Sequence, residues 1–108
     1  MVKLHKMNEQ LLKGIFTQQE WSFLIDSLNA TMTVEPFRSK ASALAMHCED
    51  AAALEGLDSK WGVDMDVLLG KINALKPKQV ESLYDVVEGF WNAPHETRNL
   101  EEWASRML

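Results

Sequence analysis

Phe16-Thr17-Gln18-Gln19-Glu20-Trp21 decides how this chain is read. The Thr17 hydroxyl can accept the backbone N–H of Glu20, and the Glu20 carboxylate can accept that of Thr17. This reciprocal pair is a capping box, which satisfies two donors that the start of a helix otherwise leaves orphaned. Phe16 precedes the cap and Trp21 follows it four residues on, the spacing of a hydrophobic staple. A helix therefore starts at Gln18. It carries Trp21, Leu24, Ile25 and Leu28 on one stripe, and Asn29-Ala30-Thr31 ends it.

The same punctuation divides the rest of the chain. Upstream, Leu4, Met7, Leu11 and Ile15 recur at helical spacing, so a helix runs from about Val2 to Lys13 and breaks at Gly14. Downstream, Thr31 to Glu35 is an irregular connection. Pro36 suits the first turn of a helix, where its missing N–H costs nothing. Phe37, Ala41, Leu44, Cys48 and Ala51 then share a face, and the helix should run to about Leu54 with Gly56 as its stop. Its six alanines (Ala41, Ala43, Ala45, Ala51, Ala52 and Ala53) favour helix and let neighbours approach from several sides, which places it at the centre of the bundle.

Leu57 to Gly62 reads as a compact loop, with Trp61 folding back to anchor it. Asp64 caps the next helix, Val63 and Leu68 staple it, and Leu68, Leu69, Ile72 and Leu75 form its buried face. Pro77 opens the cleanest amphipathic pattern in the chain. Val80, Leu83, Tyr84, Val87 and Trp91 lie on one face, with Phe90 on its flank and Val86 off it. Ala93-Pro94 ends that helix. Asn99-Leu100-Glu101-Glu102 is a second capping box, opening a short helix with Leu100, Trp103, Ala104 and Met107. With no strand pattern and short connections, the fold class is an all-α compact bundle of five or six short helices, one domain over residues 1–108.

Composition limits the function. Apolar residues are 46% and charged residues 25%, the profile of a globular protein. A net charge of −5 argues against a general polyanion binder, which needs clustered Lys and Arg. The single cysteine, Cys48, excludes an internal disulfide and fits a reducing compartment. Met1 to Asn8 has early positive charge without the apolar run of a signal peptide, and no stretch reaches the roughly 20 apolar residues of a membrane span. The expected location is the cytoplasm.

No catalytic motif is present, so the expectation is a protein that is not an enzyme and needs no cofactor. His47 and Asp50, three apart on a helix, could share a metal or small ligand, and His5 with Glu9 could add a second pair if the fold joined them. His47 flanking the apolar face and bonding a neighbour, with Glu49 and Asp50 solvated, is the better explanation of the pair, because no second set of ligands at the right spacing completes a site. Cys48 falls on that apolar face, where a thiol has neither base nor access. Asp64, Asp66, Glu101 and Glu102 sit at helix starts, where the dipole favours negative charge. Lys71, Lys76 and Lys78 cluster at the joint around Pro77, which could mimic a DNA-binding helix pair. The outer face of the following helix carries Glu81, Asp85 and Glu88 instead of the Arg, Lys, Asn or Gln of a recognition helix.

The apolar surplus is the stronger signal. Phe23 points away from the Trp21/Leu24/Leu28 stripe, Met46 projects opposite Leu44 and Cys48, and Val86 lies off its helix's main face. Aromatic residues and Met are enriched in interface cores. Phe23, Met46 and Val86 are thus candidate contacts of a protein–protein interaction or regulatory module, whose partner is another protein or a second copy in a homodimer. Burial of these residues by another helix of the bundle is the alternative.

Overall fold

The computed structural model describes residues 10–28, 39–94, 96 and 99–108. Most of the helix expected from Val2, the His5/Glu9 pair, the Thr31–Glu35 connection and the helix start at Pro36 lie outside the described residues. In chain order the main helices are α1 Gln18–Ser27, α2 Ala41–Glu55, α3 Leu57–Trp61, α4 Met65–Asn73, α5 Pro77–Asn92 and α6 Leu100–Arg106. Residues 10–12 are helical as well, and the described residues contain no strand. The fold is all-α.

The helix starts are those the caps dictate. Thr17 Oγ1 accepts from the Glu20 N–H at 3.1 Å, and Glu20 Oε1 accepts from the Thr17 N–H at 2.8 Å. The Phe16 and Trp21 rings meet edge to face, 5.3 Å apart. Asp64 accepts from the Asp66 and Val67 N–H groups; Asn99 accepts from that of Glu102 without the reciprocal bond, so this start is a simple cap and not the box its sequence suggests. At α5, Pro77 occupies the first turn and the Lys76 N–H donates to Gln79 Oε1 at 2.8 Å. Gly56 ends α2 in the left-handed conformation (φ 65°), which costs a residue without Cβ nothing.

Two boundaries differ from the sequence reading. Lys40 is extended, so α2 does not run back through it towards Pro36. Leu57 to Trp61 is a short helix between two left-handed glycines, Gly56 and Gly62, and not a loop. Leu57 and Trp61 are four apart, which aligns them on one helical face. Leu57 is buried and the Trp61 indole N–H donates to Asp26 Oδ2 at 2.9 Å. The anchoring role of Trp61 therefore holds, in a helix.

The central helix is α1, not the alanine-rich α2. α1 packs on α2, α3, α5 and α6 and is joined to α4 by the Glu20–Lys71 ion pair, while α2 packs on α1, α3, α4 and α5. They differ in girth: α1 buries Glu20, Trp21, Ser22, Phe23, Leu24, Ile25 and Ser27, residues that point in nearly every direction around its axis. On α2 only Leu44, Ala45, Cys48 and Ala51 are buried. A helix that is apolar around most of its circumference goes inside, whereas alanines are tolerated on either side of a surface. Polar links tie the other elements to α1. The Trp91 indole N–H donates to Ile25 O at 2.9 Å, in the last turn of α1. The Gln18 amide donates to Ser105 Oγ on α6, and Lys60 pairs with Asp26.

Candidate interaction surface

Of the three residues expected as contacts, the structure leaves one at the surface. Phe23 and Val86 are fully buried, which corrects the expectation that they stand exposed. Phe23 lies about 200° around α1 from Trp21, a direction that neighbouring helices cover too. Val86 is inside because the buried face of α5 is wider than the Val80/Leu83/Tyr84/Val87 stripe. It extends through Ser82, Val86 and Phe90, and Trp91 at the opposite edge is only half-buried. Met46 is 62% exposed on α2.

The rest of the outward face of α2 is unusual for its apolar content. Leu54, two turns beyond Met46, is 82% exposed, and the exposed Asp50 lies between them, four residues from each. Alongside runs an open groove of about 320 Å³, lined by Glu49, Ala52 and Ala53 of α2, Asp58 of α3, and Met65 and Leu69 of α4. Leu69, expected on the buried face of its helix, is half-buried at this edge, while Leu68, Ile72 and Leu75 go inside. Ala52 and Ala53 keep the floor low, so a docked backbone can approach α2 closely.

Among the described residues lining this face, charge has one sign. From Ala41 to Glu55, α2 carries Glu49, Asp50 and Glu55 but no Lys or Arg. Glu49, Asp50 and Glu55 are exposed, and Asp58 is half-exposed at the groove. The lysines of α3 and α4 turn away from it. Lys60 reaches Asp26 of α1 at 2.9 Å, and Lys71 pairs with the buried Glu20 of α1. Fixing Lys71 on Glu20 also removes it from any cationic patch with Lys76 and Lys78, which remain exposed beside Pro77.

The other candidate chemistry is dispersed. His47 is half-buried and Asp50 exposed, and among the described residues no three His, Cys, Asp or Glu side chains converge as metal ligands do. Cys48 is fully buried between α2 and α1. Burial pushes its thiol up to about 12, a hydrogen bond with Ser27 opposes the shift, and the Glu49 charge adds to it. Such a thiol stays protonated and unreactive at neutral pH. A smaller recess of about 170 Å³ between α1, α3 and α6 is lined by Gln18, Gln19, Ser22, Trp61 and Glu101.

The sequence places Met46 at the surface, where it lies, but gives no sign of the exposed Leu54, of Met65 or of the groove. Met46 betrays itself by its phase opposite Leu44 and Cys48. Leu54 sits in the last turn, where no later residue confirms a face, and the groove depends on how α2, α3 and α4 pack. Among the described residues no helix is long and apolar enough to cross a membrane. Comparison with protein-family models, with characterised proteins and with solved structures finds no match.

Proposed function

We propose that this protein is a small non-catalytic, cytoplasmic interaction module that docks another protein on the outward face of α2 and the groove beside α4. The observation that carries this reading is the exposure of Met46 and Leu54 on α2, together with Met65 and Leu69 lining the groove beside that helix. Exposed apolar surface rimmed by polar groups is a mark of interaction sites, and Met adapts to varied partner shapes. Burial of Cys48 supports the non-catalytic part, because it removes the one thiol from nucleophilic work.

The test is affinity capture of the tagged chain from extracts of its source cells, with the Met46→Gln/Leu54→Gln double variant run in parallel. A stoichiometric protein partner retained by the natural chain and lost by the variant is expected. Equal retention by both, or recovery of the bait alone, overturns the reading.

A further inference from the structure

Resting on that reading of the α2–α4 face, we propose that its occupant is a cationic amphipathic helix of another protein, seating apolar side chains on Met65, Leu69 and the two alanines with Lys or Arg at its flanks. Shape and charge both select this class. An amphipathic helix lays its apolar face into a groove using anchors three and four residues apart. The low floor at Ala52 and Ala53 admits the helix backbone, and Met46, two turns before Ala53 and nearly in line with it, continues the apolar strip along α2.

Charge complementarity fixes the sign. Glu49 lines the α2 wall and Asp58 the α3 end, with Asp50 and Glu55 further along α2. Glu49 and Asp58 form no ion pair among the described residues, since Lys60 and Lys71 are committed to Asp26 and Glu20. A flanking Lys or Arg meets these carboxylates from either side of an apolar stripe. A second copy of this chain is disfavoured as the occupant. It would bring Glu49 and Asp58 against their own counterparts, in a protein whose net charge is already −5. An anionic lipid surface is disfavoured for the same reason.

Fluorescence anisotropy with three labelled model helices of about 18 residues tests this. They share one pattern of Leu at three- and four-residue spacing, and the remaining positions are Lys, Gln or Glu. The Lys helix is expected to bind saturably, the Gln helix more weakly, and the Glu helix not at all. Glu49→Gln/Asp58→Asn should weaken the Lys helix roughly fivefold, because two partly exposed charge pairs are lost. Glu81→Gln/Glu96→Gln, which removes the same charge elsewhere, should change it less than about twofold. If both double variants weaken the Lys helix equally, attraction to net charge explains the binding and the inference is overturned. Equal binding of the Lys and Gln helices, both lost in Met46→Gln/Leu54→Gln, overturns the cationic partner while leaving the docking face standing. Binding of none overturns the inference and counts against the docking face too.

Discussion

Ten of the fifteen residues of α2 are apolar against four of the ten in α1, and yet α1 is the more deeply buried helix. In α1, Trp21, Phe23, Leu24 and Ile25 follow one another with only the small Ser22 between them, and successive residues turn by about 100°. Large side chains therefore point to every side, and burying them requires helices on every side. In α2 the buried bulk is Leu44 and Cys48, flanked by alanines, and the two other large apolar residues, Met46 and Leu54, lie outside that face. Alanine gains little from burial, so α2 packs with one side and leaves Met46 and Leu54 in solvent. How widely the bulky side chains spread around the axis decides which helix becomes the centre of the bundle and which can carry a binding face.

The most direct way to break this contrast is Phe23→Ala. Phe23 is fully buried on the side of α1 away from Trp21, and its truncation leaves a cavity the surrounding helices cannot fill. A loss of about 3–5 kcal/mol is expected, read from the urea midpoint by circular dichroism. A loss below about 1 kcal/mol would mean that α1 has a solvent face there and that the two helices are alike.

Lys71→Met should come next. The ammonium of Lys71 holds Glu20, the one carboxylate that α1 buries, and Glu20 also closes the capping box through Thr17. Methionine keeps most of the aliphatic stem and removes the charge, leaving the Glu20 carboxylate buried without its counter-ion. Breaking a fully buried pair costs about 3–5 kcal/mol. The Lys71 side chain is 30% exposed, so water partly replaces it and about 2 kcal/mol is expected from the same denaturation experiment. An unchanged midpoint would show that the cap alone holds Glu20.

The local part of this architecture is readable in the sequence and the non-local part is not. Thr17/Glu20, Asp64, Pro77, Asn99 and Gly56 each act through partners within a turn or two, and each marks the boundary it should. Phe23 and Val86 cannot be placed by phase, because a stripe defines a face only when one neighbour covers it. With helices on several sides, residues about 200° apart are buried together. The Glu20–Lys71 and Asp26–Trp61 contacts span 51 and 35 residues, and no spacing rule reaches that far. Of the candidate surface, only Met46 is visible without the fold. Leu54, Met65, Leu69 and the Asp58 rim come together through the packing of α2, α3 and α4.

The smallest effect is the most informative about the surface. Met46→Gln/Leu54→Gln replaces two exposed apolar side chains with one whose helix propensity is close to theirs, so the backbone has little reason to respond. Neither residue fills core volume, and no cavity follows. The urea midpoint should therefore move by less than the equivalent of about 0.5 kcal/mol, the range of ordinary surface changes. A loss of about 2 kcal/mol or more would show that Met46 and Leu54 are structural, covered in solution by part of the chain itself, and that α2 has no free face. A neutral result has the opposite force. Two large apolar residues would then stand in water without contributing to stability, beside a groove whose nearest lysines are tied to α1. A surface of that kind gains free energy only when a partner covers it.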